Sequence, residues 1–155
     1  MSNTAERPSL EAGRLWAGGF ATAVVAALIA LVGVLVCDVL LDVGMVHPPL
    51  IPVGHSFALR YAVTAAVLAL VATALAHLLL VSTPRPRSFF SWIVGLATLA
   101  GIVLPFTLTG TTAARLATAC VNLVIGVAVL SLLRSVMTRT ARLPHESGPA
   151  RRRAA

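Results

Sequence analysis

Four charged side chains border otherwise uncharged segments, and they are the residues of this sequence best placed to do chemistry. Asp38 and Asp42 are four residues apart, so one face of a helix would present both carboxylates. Arg60 and Arg115 each open a later apolar run, and we expect all four charges at one depth. Unpaired charge near hydrocarbon is costly, which predicts ion pairs across the mouth of a helical bundle. A polar vestibule that admits an ion or a small solute is the alternative.

The segment 43–56 adds side chains of the kinds that bind metal ions. His47, His55 and Met45, together with the two carboxylates, are ligand types of zinc and copper sites. Their spacing matches no known ligand signature, and three prolines stiffen the segment. We therefore predict no metal site and no cofactor, with His47 and His55 as weak metal-ligand candidates.

Two further polar residues, His77 and Asn122, lie inside long apolar runs. Either could donate or accept a hydrogen bond between helices, which is the expected role. A proton relay through His77 or a substrate contact by Asn122 is the alternative. Cys37 and Cys120 do not form a CxxC pair, which disfavours a disulfide-forming membrane enzyme, and we expect both to be packing residues.

The elements that must position these residues are four runs without any charged residue, at 15–37, 61–84, 88–114 and 116–133. About 20 apolar residues in a helix cross the hydrocarbon core. With 58% hydrophobic and 11% charged residues, the chain is predicted to be all-α, an integral membrane antiparallel four-helix bundle. We place the spans and tails as follows: tail 1–14, spans 15–41, 57–81, 89–109 and 113–134 within a bundle of 15–136, and a basic disordered tail 137–155.

The arginines predict the topology. All twelve basic residues are Arg, and ten of them lie on the side of the two termini and the 82–88 turn. Only Arg60 and Arg115 lie on the other side. The positive-inside rule then gives a multi-pass plasma-membrane protein with N- and C-termini in the cytoplasm. This distribution favours anionic headgroups of the inner leaflet as the partner of the basic residues and argues against nucleic acid.

Small residues recur on each span at steps of three and four, where helices would meet closely. They are Thr22, Ala26, Ala30, Gly33 and Cys37 on span 1; Ala62, Ala65, Ala69, Thr73 and His77 on span 2; Ser91, Gly95, Thr98, Gly101 and Pro105 on span 3; and Arg115, Ala119, Asn122 and Gly126 on span 4. Another membrane protein, or a second copy of this chain, is a further candidate partner.

Several segments together resemble a known family. They are RLWAGG at 14–19, HLLLVSTPRPRSFFSW at 77–92, LPF at 104–106 and NLVIG at 122–126. They are similar to small actinobacterial four-span membrane proteins classed as a domain of unknown function, over most of residues 14–136. The resemblance implies a plasma-membrane location and a four-helix fold, and it transfers no activity, cofactor or catalytic residue.

The sequence contains no HExxH, GxSxG or CxxC motif. We therefore expect a non-enzymatic membrane protein, an accessory or interaction subunit. The alternative is a small transporter or channel with an outward-facing polar vestibule. Four-span multidrug exporters use a Glu embedded in span 1, whereas span 1 here has no Glu and its acids lie at the outer mouth.

Overall fold

The computed structural model describes residues 7–46 and 56–140, with side chains over 12–46 and 56–138. Four long helices follow one another. They are α1 (Arg7–Leu35), extended by a π-helical turn at Val36–Leu40; α2 (Phe57–Ser82); α3 (Pro86–Val103), extended by a 3₁₀ turn at Leu104–Thr107; and α4 (Thr112–Thr140).

Hydroxyl residues and prolines set the ends of these helices. The Ser56 hydroxyl accepts from the Leu59 N–H at 3.3 Å and caps α2, and the Thr111 hydroxyl accepts from the Ala114 N–H at 3.2 Å and caps α4. Pro86 occupies the start of α3, where a missing N–H costs nothing. Pro105 cannot continue the α-helical ladder, and the last turn of α3 tightens to 3₁₀ there.

The end of α1 differs from the sequence prediction. The Leu41 N–H donates to the Val36 carbonyl, a bond spanning five residues, and Asp42 adopts a left-handed conformation with φ 50°. Asp38 lies in the π-helical turn and Asp42 lies beyond it. The expectation that both carboxylates share one face of an α-helix is therefore wrong, because the α-helical spacing ends before Asp38.

The helices pack as an antiparallel bundle. α1 packs along α2 and α4, whereas α3 packs mainly along α4 and much less on α2. Small side chains fill the centre, and Ala26, Ala30 and Ala76 are fully buried there. At Gly19 a Cβ would overlap Thr73, so α1 and α2 approach more closely than any other residue would allow.

Large apolar side chains cover the outside of the bundle. Phe20, Leu28, Val32, Leu68 and Trp92 are each at least half exposed. Four helical segments are long and apolar enough to cross a membrane: Ala12–Leu40, Phe57–Ser82, Pro86–Thr107 and Thr112–Thr138. An apolar exterior around a core of small residues is typical of helices that face lipid, and the predicted all-α, four-span membrane bundle is confirmed.

Helices α1 and α4 extend into the segments that the sequence analysis assigns to the two tails. Helix α1 begins at Arg7, inside the tail placed at 1–14, and α4 continues to Thr140, past the expected boundary at 136. The remaining tail residues, 1–6 and 141–155, lie outside the described residues. The bundle thus has two distinct ends: the loop end, with residues 41–46, Ser56 and the 108–111 turn, and the terminus end, with the 83–85 turn.

Candidate functional site

A crevice of about 360 Å³ lies between α2, α3 and α4. Its walls are almost entirely apolar, with Leu68 and Leu75 on α2, Ile93 on α3 and Ile125 on α4 among the larger side chains. Small residues also line it, including Ala72 on α2 and Ala97 on α3. Because α3 packs mainly on α4, these small side chains leave the space between α2 and α3 unfilled.

The crevice opens on the lipid-facing side of the bundle. Four of its lining residues, Leu68, Val71, Ile93 and Leu104, are each more than 40% exposed. In a membrane this surface faces lipid tails, so an apolar chain would reach the crevice without crossing water.

Asn122 forms the main polar group of the crevice and joins three helices. Its amide oxygen accepts a hydrogen bond from the Tyr61 hydroxyl of α2, and its amide nitrogen donates to the Gly101 carbonyl of α3 at 2.7 Å. Within an α-helix the Gly101 carbonyl would accept from residue 105, which is a proline without an N–H. Asn122 therefore satisfies the carbonyl that Pro105 leaves without a donor. The interhelical hydrogen bonding predicted for Asn122 is present.

Sequence reasoning missed the partners of Asn122. Tyr61, in the second turn of α2, stacks on Phe57 with 6.1 Å between ring centroids and directs its hydroxyl to α4. The available signal was the spacing of Gly101 and Pro105, since a proline four residues on frees a carbonyl inside a span.

The threonine hydroxyls of the crevice are already engaged. Thr64, Thr98 and Thr118 each donate to the carbonyl four residues earlier, at 2.8–2.9 Å. Thr118 also accepts from the Val46 N–H at 3.0 Å, which fastens the start of the 41–56 connection to α4. The walls of the crevice consequently offer few free polar groups to a ligand.

Arg60 and Arg115 occupy the loop end of α2 and α4. Each is half-buried, and the Nε atom of each is buried without a hydrogen-bond partner. Asp38 and Asp42 are exposed, and within residues 7–46 and 56–140 no ion pair joins either carboxylate to either guanidinium. The structure therefore does not form the expected ion pairs among these four residues.

The other candidate residues are separated from this group. His77 is half-buried in α2, and no hydrogen bond to it is formed within the described part of the chain. His47 and His55 lie outside the described residues, while Met45 is buried against Val34 and Cys37. Among the described side chains no three of His, Cys, Asp or Glu are grouped to hold a metal ion. Cys37 and Cys120 are free thiols, the first buried and the second exposed.

A second cavity of about 420 Å³ lies at the terminus end, between the start of α3 and the last turns of α4. Arg87 and Arg134 line it from the two helices, together with Ser88, Ser91 and Trp92. Two guanidiniums, hydroxyls and an indole form a surface that suits the headgroup region of a bilayer.

Four lipid-facing helices around a core of small residues define the chain as a multi-pass membrane protein. Residues 10–139 match the model of a family described as "Family of unknown function (DUF6069)". The match covers most of the chain, and the protein belongs to that family. No curated protein and no solved structure matches the chain. The actinobacterial origin that the resemblance implied stays a prediction.

Proposed function

We propose that this protein is a non-enzymatic accessory protein of the membrane that binds the acyl chain of a lipid in the crevice between α2, α3 and α4. The observation that carries the proposal is the crevice itself, about 360 Å³ with apolar walls and an opening at exposed Leu68 and Ile93. Pockets of this size and lining bind apolar ligands, and lipid chains are the apolar molecules next to this surface.

The polar groups of the crevice support a binding role rather than catalysis. Tyr61, Asn122 and three threonines are occupied by hydrogen bonds to one another or to backbone carbonyls. A general acid, base or nucleophile needs a proton-transfer partner on a substrate. Here Tyr61 and Asn122 are engaged between helices, and each threonine hydroxyl donates to a carbonyl of its own helix. The bonds of Asn122 to Tyr61 and Gly101 fix the shape of the crevice, and a crevice of fixed shape suits the binding of a ligand.

The proposed placement is the plasma membrane, with both termini in the cytoplasm and the loop end facing outwards. The ten-to-two distribution of arginines supports it. Arg87 and Arg134 would then meet the inner leaflet, and the cavity between them suits its anionic headgroups.

Filling the crevice tests the proposed function. Ala97 of α3 lines the crevice and Ala100, one turn along, is an exposed residue outside its lining. Ala97→Phe should remove the lipid that copurifies with the protein, while Ala100→Phe adds the same volume to the lipid-facing surface and should retain it. Native mass spectrometry counts the lipids that remain bound after delipidation. Equal retention in both variants and the wild type would contradict the proposal.

A small transporter or channel is the second candidate, and the charges at the loop end favour it. Asp38, Asp42, Arg60 and Arg115 make no ion pairs with one another in the described part of the chain, so they could line a polar vestibule. Ion or solute flux into proteoliposomes that Asp38→Asn reduces would support this function. Flux equal to that of protein-free vesicles would count against it.

A further inference from the structure

Helices α2 and α4 begin in the same way. In each, a hydroxyl residue caps the helix and an arginine follows four residues later. The Arg60 N–H donates to the Ser56 carbonyl at 3.2 Å, and the Arg115 N–H donates to the Thr111 carbonyl at 3.1 Å. The two arginines therefore occupy equivalent positions in the first turns of two parallel helices.

Both arginines extend the rows of residues that line the crevice. On α2, Arg60 lies one turn before Thr64, which is followed along the same face by Leu68. On α4, Arg115 lies three residues before Thr118 and seven before Asn122. Residues three, four and seven apart share a helix face, so both arginines belong to the helix faces that line the crevice, one turn nearer the loop end.

The first turns of α2 and α4 carry positive charge and no acidic residue. The N-terminus of a helix already carries partial positive charge, and neither α2 nor α4 has an acidic residue in its first turn. Each Arg adds a full charge there, with a buried Nε that lacks a partner. Among the described residues neither guanidinium forms an ion pair with a carboxylate, which leaves both charges available to an anion from outside the chain.

We propose that Arg60 and Arg115 bind the phosphate of an anionic phospholipid, one of whose acyl chains lies in the crevice. Guanidinium groups bind phosphate through paired N–H donors, and two of them suit a phosphodiester better than a neutral headgroup. The inference rests on the proposed function, since it assigns the headgroup of the lipid whose chain the crevice holds. Because both arginines lie at the loop end, the lipid comes from the leaflet on that side.

The test compares phosphatidylglycerol with phosphatidylcholine of identical acyl chains. The full-length protein in detergent is titrated with each lipid, and native mass spectrometry gives the fraction that binds one lipid. The wild type should prefer phosphatidylglycerol, and Arg60→Gln or Arg115→Gln should each lower that preference about fivefold, as expected for one basic residue near a surface. Arg14→Gln, which removes an exposed charge from α1 at the terminus end, is the reference for loss of one basic residue, and it should lower the preference less than Arg60→Gln or Arg115→Gln does.

Further variants separate this inference from the proposed function. Arg60→Lys keeps the charge and should keep part of the preference, which shows that a loss in Arg60→Gln is electrostatic rather than a folding defect. An unchanged preference in the double variant Arg60→Gln/Arg115→Gln overturns the inference. If Ala97→Phe still removes both lipids in that case, the proposed function stands although the inference on Arg60 and Arg115 is wrong. Equal binding of both lipids to Ala97→Phe and the wild type contradicts the proposed function and overturns the inference with it.

Discussion

Asn122 shows how a single polar residue sets the geometry of the crevice. Its amide joins the Tyr61 hydroxyl to the Gly101 carbonyl and so fixes α2, α3 and α4 relative to one another. The Gly101 carbonyl needs this donor because Pro105 has no N–H to supply one. Proline inside a span is tolerated where a neighbouring helix satisfies the freed carbonyl, and Asn122 does so here.

A double-mutant cycle tests this coupling. Asn122→Leu should lower the free energy of unfolding by about 1–2 kcal/mol, since an interhelical hydrogen bond in a membrane contributes about 0.6 and rarely more than 1.7 kcal/mol. In a Pro105→Ala background the backbone supplies its own donor to Gly101, so the cost of Asn122→Leu should fall by about 0.6 kcal/mol. Equilibrium unfolding in detergent measures the cost of Asn122→Leu in the wild-type and in the Pro105→Ala background.

His77→Leu is the matched control for that cycle. It also replaces a polar residue inside a span, but at a site without a hydrogen-bond partner among the described residues. Its effect should stay within about 0.5 kcal/mol. Strictly additive costs for Pro105→Ala and Asn122→Leu would contradict the coupling between these residues.

For single residues, the sequence predicted which polar side chains form hydrogen bonds between helices better than it predicted their partners. An Asn within an apolar run predicts an interhelical hydrogen bond, because hydrocarbon offers it no other partner. Its actual partners depend on how the helices are rotated, which periodicity does not determine. The same limit explains why, among the described residues, Arg60 and Arg115 form no ion pair with Asp38 or Asp42: equal depth does not ensure that side chains on different helices meet.

Close approach of small residues holds the helices together. A Cβ at Gly126 of α4 would overlap the side chain of Thr98 of α3, so this glycine lets the two backbones approach. Gly95, one turn before Thr98 on the same helix, is exposed and has no atom within 4 Å of an added Cβ. The two glycines therefore differ in environment although both belong to the predicted small-residue rows.

Alanine substitution at these glycines should separate the two environments. Gly126→Ala should lower stability by about 1–3 kcal/mol, the usual cost of overpacking. Gly95→Ala should be neutral or raise stability by up to about 1 kcal/mol, because alanine favours a helix more than glycine does. Thermal unfolding of both variants in the same detergent gives the comparison, and equal effects would show that α3 and α4 do not meet at Gly126.

Small-residue periodicity predicted the buried face of α2 well. Ala62, Ala65, Ala69 and Thr73 are all buried, whereas His77 of the same row is half-buried because the core moves to Ala76. The prediction was wrong for Gly95 because α3 packs mainly on one neighbour, so a narrower strip of it is covered. A prediction from periodicity assumes that every helix packs equally on two neighbours. Helix α3 does not, and the crevice lies where α3 packs less closely on α2.

At the scale of the whole molecule, the number and class of helices followed from long runs without charge. The position of the crevice did not, because it depends on unequal packing between helices of similar composition.

The orientation in the membrane is a prediction from the arginines and is open to a direct test. A reporter active only in the cytoplasm should be active when fused at residue 150 and inactive when fused at residue 50. Activity of the reporter at residue 50 would contradict the predicted topology and indicate the opposite orientation.

The terminus-end cavity gives a second prediction at this scale. Arg87→Gln/Arg134→Gln should weaken the binding of anionic lipid at the terminus end by about 1 kcal/mol per residue. Flotation of the protein's proteoliposomes with a soluble, labelled phosphatidylglycerol analogue measures this. Arg14→Gln serves as the single-charge reference, and equal binding by all variants would contradict a headgroup role for the cavity.

Photo-cross-linking with a phospholipid that carries a diazirine in its acyl chain tests the central claim most directly. Reconstituted protein is irradiated, and mass spectrometry locates the labelled residues. Binding of a chain in the crevice predicts labels concentrated on its lining, at Leu68, Ile93 and Ala97, and several-fold fewer on Val24 and Val32 of α1, which are as exposed to lipid. The same labels should disappear in Ala97→Phe. Labelling spread evenly over the exposed residues of all four helices would contradict the claim.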